Sequence, residues 1–393
     1  MRLSISKEEI LGRQQKLYQR LADENVDCAV LFSVTDIFYL TNFHFRPSER
    51  PIALVLDSTQ KTHLLVPHLE YDHAKEYANV DYVHYYPEYP GLRHPMEFLK
   101  DILKENKFEE KAVGLDAAGY GSAKGYRGPK VADLITAKKF ESIAGWVEEM
   151  RFVKSEAEIE LIKESCRWGN LAHRLLQKYS KPGLSEIEIT SKASTEATMA
   201  MIETLGPDYK PHGRTAYAIF RGQVGKMSAF PHAVTQNLIL KKGDTLVTGA
   251  AADVWGYHSE LERTMFVQEV SKEQEKYFNY MYEAQEVAFN AIKPGVPCSD
   301  VEKQVQAYFE ENGITDLVSH HTGHNIGLLG HEAPFLDLGD ETIIQPGMVF
   351  TVEPGIYVRG LGGFRHSDTV LVTNSGIEML TFYPRDLESM ICQ

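Results

Sequence analysis

Four short stretches of this chain hold residues that can carry protons, hold cations or ligate metals, in places where a plain core would not use them. In GYHSELERT, residues 256–264, the pattern is that of a strand following a turn-like GAAAD at 249–253. Residues two apart on a strand share a face, so His258, Glu260 and Glu262 point one way and Leu261 and Arg263 the other. Taken alone, such a triplet is a solvated strand face. FPHAVTQ places His232 just before a strand, and HHTGHNIGLLGHEAP sets His320, His321, His324 and His331 among glycines. A single histidine beside glycines is usually a structural hydrogen-bonder. VFTVEPGIYV puts Glu353 between Val349, Phe350, Val352 and Ile356, and a carboxylate in such a run faces inward and needs partners. FRHSDTVLVT carries Arg365, His366 and Asp368 at the head of one more apolar strand. Several His and Glu on strand ends, with Gly-rich loops that allow close approach, make up a catalytic cleft.

Two kinds of framework position these stretches. Ser6 and Glu9 form a capping-box pattern before the helical run EILGRQQKLYQRLADENV. The apolar runs CAVLFSV, IFYLTNF, PIALVLD, THLLVP and AVGLD then read as strands alternating with helix-like segments such as MEFLKDILKEN. This predicts a smaller α/β domain over residues 1–150. From 151 to 393 the texture changes. Long helical patterns start at Ser155 with Glu158, Ser271 with Gln274 and Ser299 with Glu302, and Gly313 is a natural stop. Adjacent strand runs between them (LILKKGDTLV, ADVWGY, ELERTMFV; MVFTVEPGIYV, FRHSDTVLVT) predict an antiparallel sheet with helices on one face, an α+β domain.

The bulk properties exclude several classes. At 393 residues the chain is long enough for two domains, and its net charge of −14 gives no basic field for nucleic acid or an acidic membrane. No apolar run approaches the roughly 20 residues of a membrane helix, and MRLSISKEEILGRQQ has no apolar leader core. Cys28, Cys166, Cys298 and Cys392 have no CxxC spacing and read as buried free thiols of a cytoplasmic protein.

The second half resembles the pita-bread family of creatinase, prolidase, aminopeptidase P and methionine aminopeptidase, and the similarity runs over the whole chain. PHAVTQNLILKKGD, HTGHNIGLLGHEAP, VEPGIYV and FRHSDTVLVT carry it, in the family's order and spacing. It implies an α+β pita-bread C-terminal domain behind a smaller α/β creatinase-type N-terminal domain, and a homodimer. The family's metallopeptidases hold two ions with five side chains. Those positions fall here on Gly249, Glu260, His324, Glu353 and Ser367, so two ligands are missing and one carboxylate is longer. Bridging carboxylates hold paired ions roughly 3.5–4 Å apart, so their loss speaks against a binuclear site.

Creatinase, which works without metal, offers the other precedent. ERPIALVL resembles its carboxylate-binding segment and places Arg50 at the substrate carboxylate. LERT places Glu262 at the glutamate that contacts a guanidinium, and His232 falls on its acid–base histidine. His331 stands where creatinase has a second anchoring arginine, which argues against creatine as substrate. RHPMEFLKDIL resembles ectoine hydrolase, whose nucleophilic glutamate falls on Gly249 and cannot be carried over. The resulting expectation is a metal-independent hydrolase with no cofactor, cleaving a C–N bond in a small carboxylate-bearing guanidino or amidine-like molecule. His232 shuttles the proton, Glu262 and Glu353 polarise the cationic centre, and His324 and His331 orient it. Arg50, His258 and Glu260 bind the substrate. Glu262→Gln is expected to leave folding almost unchanged. The alternatives are an Xaa-Pro dipeptidase with one ion on Glu260, His324 and Glu353, or a non-catalytic binding protein of the same fold.

Overall fold

The structure, a computed structural model, describes residues 3–121 and 125–393. They form two compact units: Ile5–Met150, and residues 3–4 together with Arg151–Gln393. Among the described residues, no helix is long and apolar enough to cross a membrane.

The smaller unit is a mixed six-stranded sheet flanked by helices. Its strands are β1 (Cys28–Leu31), β2 (Ala53–Leu56), β3 (Thr62–Pro67), β4 (Tyr82–Tyr86), β5 (Ala112–Leu115) and β6 (Lys139–Ser142). They lie in the order β4-β3-β2-β1-β5-β6, with β1–β2 and β2–β3 antiparallel and the other pairs parallel. The first helix, Lys7–Asp23, starts at Ser6, whose side chain accepts from the Glu9 N–H. IFYLTNF, expected as a strand, is instead part of a helix, Val34–Thr41. Ser33 caps it by accepting from the Asp36 N–H, and Asn42 ends it in the left-handed region at φ 60°. A short run that is apolar on all sides has the same pattern in a buried helix and a buried strand, and here the caps decide.

The larger unit is built on strands β7 (Tyr217–Ile219), β8 (Thr245–Ala251), β9 (Asp253–Val254), β10 (Tyr257–His258), β11 (Leu261–Val267), β12 (Gly323–Asn325), β13 (Glu332–Leu336), β14 (Val349–Val352), β15 (Gly355–Val358), β16 (Gly362–Arg365), β17 (Ser367–Thr373), β18 (Gly376–Met379) and β19 (Ile391–Cys392). Its main sheet runs β13-β12-β14-β17-β11-β8-β7, with every neighbouring pair antiparallel. β15 and β16 pair separately. The larger unit is α+β and follows the α/β unit in chain order, as expected. The helix Glu156–Tyr179 opens with a complete capping box of Ser155 and Glu158 and packs its apolar stripe against β7 and β8. It also pins the turn after β8, because Ser165 Oγ donates to Ala252 O at 2.5 Å and meets Ser259 Oγ at 3.0 Å.

Three local expectations are corrected. GAAAD is not a turn: Gly249, Ala250 and Ala251 belong to β8. The run 256–264 is two strands rather than one, since β10 pairs with β9 and β11 begins only at Leu261. Ser299 does not cap its helix, which starts at Cys298 after Pro297; Glu302 instead accepts the Thr322 N–H at 2.8 Å, bracing the loop before β12.

Much of the polar texture of the sequence is structural. Arg263 and Asp368 are fully buried and paired at 2.8 Å across β11 and β17. Arg263 also donates to the carbonyls of Pro384, Tyr383 and Ser367, and Asp368 accepts from Thr381 and Gln285. A buried ion pair survives desolvation only with such full hydrogen bonding. In HEAP, buried Glu332 lies 3.4 Å from Arg151 Nε and 3.7 Å from buried Lys154 Nζ, which fixes the loop carrying its neighbour His331.

Candidate active site

One cross-strand row defines the floor of the site. Glu262 on β11 stands opposite Gly249 on β8 and opposite Ser367 on β17. The space a side chain would take at Gly249 is bounded by Glu262, since a Cβ there would sit 3.4 Å from Glu262 Oε1. Glu262 itself is only 3% exposed and both its oxygens are taken, Oε1 by Arg221 and Oε2 by Arg365. It does meet guanidinium groups, but they are the protein's own. Arg365 also lies 3.7 Å from Glu353 Oε2 and donates to Tyr357 Oη at 2.9 Å. Tyr357 Oη is 2.8 Å from His320 Nε2.

Above this floor lie Glu260, His324, His331 and Glu353. Glu260 accepts from Ser367 Oγ at 2.8 Å, and its backbone exchanges hydrogen bonds with Thr369 Oγ1. His324 comes in on β12, which can approach β14 because residue 323 is glycine: a Cβ there would be 2.0 Å from Thr351 O. The His324 Nδ1–H donates to Asn325 O at 3.0 Å, which directs Nε2 at Glu353 Oε1, 3.1 Å away. That Nε2 is fully buried and makes no aligned hydrogen bond. His331 is exposed and stacks on His324 with ring centroids 3.8 Å apart. The cavity beside the row is lined by Tyr217, Arg221, Gly249, His258, Glu260 and Glu262, among others.

The structure thus gathers Glu260, Glu262, His324, His331 and Glu353, with His258 on the cavity wall. His232 is exposed in a turn and is not part of either ligand-atom cluster among the described residues. Arg50 belongs to the smaller unit, where it pairs with Glu88 at 2.7 Å and Glu49 at 2.5 Å. Arg221, Tyr357 and the bracing role of Arg365 were not foreseen. Arg365 sits in a motif that carries a signal, FRHSDT. Arg221 is a single arginine before a glycine and carries none.

The electrostatics show what the cluster wants. Burial, then the charges of Glu353 and Glu262, push Glu260 up to about 7. Burial opposes ionisation of Glu353, but the His324 contact and the Arg365 and His324 charges outweigh it. They hold its carboxyl well below the usual carboxylate range. Burial likewise opposes the charged form of His324, yet Glu353 and Glu260 raise it to about 9. Partial desolvation and the charge of His324 keep His331 below its ordinary value. A carboxylate raised by burial and like charges, beside an imidazole whose charged form the carboxylates favour, is an environment that a bound cation would relieve.

Among the described residues, two groups bring their ligand atoms within 4.8 Å of one another: Glu260, His324 and His331, and Glu260, Glu262 and Glu353. The first fits one metal ion. Its three atoms are O, N and N, and His324 Nε2 is a buried donor atom without an aligned partner. The second group does not fit another ion, because Glu262 is already neutralised by Arg221 and Arg365 while Gly249 and Ser367 offer no carboxylate.

Three comparisons bear on this arrangement. The model of metallopeptidase family M24 matches residues 160–374, and that of the Creatinase/Prolidase N-terminal domain matches residues 13–153. The chain is 28% identical over 383 residues to the Xaa-Pro dipeptidase of Pyrococcus horikoshii, covering 96% of this chain and 99% of that protein. It is 28% identical over 379 residues to the Xaa-Pro dipeptidase of Pyrococcus furiosus, covering 95% and 99%. Among solved structures, the Xaa-Pro dipeptidase from Bacillus anthracis matches with a TM-score of 0.79 at 26% identity, over 98% of this chain and 100% of that one. These findings overturn the expectation of metal-independent chemistry: the matched family is one of metallopeptidases and the relatives are Xaa-Pro dipeptidases.

Proposed function

The chain belongs to metallopeptidase family M24, a family of hydrolases, and from that premise we propose that it is a dipeptidase acting on Xaa-Pro substrates at a site for one metal ion. The observation that carries this reading is the triplet Glu260, His324 and His331, with the buried Nε2 of His324 turned toward Glu353 Oε1 at 3.1 Å. The names of the relatives supply the substrate class. An ion held there supplies Lewis acidity toward the scissile carbonyl.

The chain's own residues do the rest. Glu353, held ionised by Arg365 and His324, fixes the orientation of the His324 ring. Ser367 donates to Glu260 and sets the position of that carboxylate where a longer ligand is missing. The Arg221–Glu262–Arg365 cluster supplies, as fixed side chains, positive charge beside the row of Gly249, Glu262 and Ser367. The cavity therefore stays close to electrically balanced with one ion rather than two. The same cluster speaks against a guanidino substrate, because both oxygens of Glu262 are already engaged.

The test is turnover of Ala-Pro and other Xaa-Pro dipeptides beside guanidino, amidino and ureido acids. The expected result is cleavage of the dipeptides, lost in chelator and restored by a divalent ion. Turnover of a guanidino or amidino acid with no cleavage of any Xaa-Pro dipeptide would contradict the reading.

A further inference from the structure

An acidic cavity that must admit a substrate with a carboxylate needs an accessible cation. Of the two arginines that clamp Glu262, Arg365 is 4% exposed at its side chain and surrounded by Glu262, Glu353 and Tyr357. Arg221 is 36% exposed and lines the cavity. Glu262 is its one hydrogen-bond partner among the described residues. A guanidinium has five N–H donors in a planar fork, so one carboxylate oxygen leaves most of that fork open.

The backbone is arranged to put it there. Arg221 follows β7 and adopts φ 52°, a left-handed conformation that is uncommon outside glycine. The surroundings impose it: Phe220 is buried on one side, and on the other the Gly222 N–H donates to buried Glu186 at 2.9 Å. Glu186 also accepts from the Gln236 and Leu238 N–H groups, which ties down the loop that follows. Strained conformations that their surroundings enforce gather at ligand sites. The missing side chain at Gly249 leaves room on the sheet floor, and Glu262 in turn steadies the arginine beside it.

We propose that Arg221 binds the terminal carboxylate of the substrate and so makes the site prefer free dipeptides to capped or longer ones. The proposal rests on the peptidase reading above. It assigns to Arg221 the anchoring role that the sequence resemblance implied for Arg50, whose guanidinium already holds Glu49 and Glu88.

The experiment compares Ala-Pro with Ala-Pro-amide in the metal-loaded protein and in Arg221→Met and Arg221→Lys. In Arg221→Met the ratio of kcat/KM for Ala-Pro to kcat/KM for the amide should fall about 10- to 100-fold, whatever loss of the Glu262 ion pair does to both substrates together. Arg221→Lys should recover part of the loss, since it keeps the charge but not the fork. The amide is the internal control: a site damaged in general loses both substrates equally, and that unchanged ratio overturns the proposal. A binding arm needs no turnover. Proline should shift the melting temperature of the protein more than prolinamide does, and Arg221→Met should remove that difference. If no Xaa-Pro dipeptide is cleaved, the peptidase reading fails while this arm still decides Arg221: equal shifts with proline and prolinamide overturn its role.

Discussion

His324→Ala should lower kcat/KM for an Xaa-Pro dipeptide by about 1000-fold and abolish tight binding of a divalent ion. The expectation follows from the position of one atom. His324 is fully buried, its Nδ1–H is committed to Asn325 O, and its Nε2 faces the carboxylates with no aligned partner of its own. A backbone carbonyl that fixes the tautomer in this way is the usual support of a metal-binding histidine. Removing the ring also takes away the surface on which His331 stacks, so two of the three ligand groups are disturbed at once. Calorimetric titration with cobalt, beside the kinetics, separates ligand loss from other damage. Retention of both binding and activity within about 10-fold of the parent would remove His324 from the site.

The second large effect is on stability. Glu262→Ala should destabilise the larger domain by about 3–5 kcal/mol, because among the described residues it leaves buried Arg365 with the more distant Glu353 for counter-charge. The mild effect expected from the sequence for Glu262→Gln assumed a carboxylate waiting for a ligand. The structure shows one that is 3% exposed and holds two arginines, so even the glutamine variant loses a charge that the interior depends on. Unfolding in urea, followed by a probe in the larger domain, measures this. A midpoint equal to that of the parent in Glu262→Ala would mean that the two arginines find other partners.

Glu353 and His324 were legible in the sequence because each breaks a local pattern, a carboxylate in an apolar run and a histidine between glycines. The helix starts at Ser155 and Ser271 were legible for the same reason: a cap is local chemistry. The row Gly249–Glu262–Ser367 was not, since it is made by cross-strand register between positions 13 and 105 residues apart in the chain. Missing that row turned Glu262 into a ligand for substrate rather than a partner of Arg221 and Arg365. Arg221 could not be found at all, because its role comes from a backbone angle and a loop anchor rather than from its neighbours in the chain. The run IFYLTNF lacks any alternation that separates strand from helix, and its caps lie at its ends in residues that also suit turns. His232 takes an acid–base role only through the resemblance to creatinase, and among the described residues it lies exposed in a turn.

The central claim is a peptidase site built for one ion. The direct measurement is to strip the protein with chelator and titrate it with cobalt while following hydrolysis of Ala-Pro. The account predicts that activity returns linearly and levels off at one equivalent per chain. A plateau that arrives only at two equivalents would contradict it, because Gly249, Ser367 and the clamped Glu262 leave no place for the second ion.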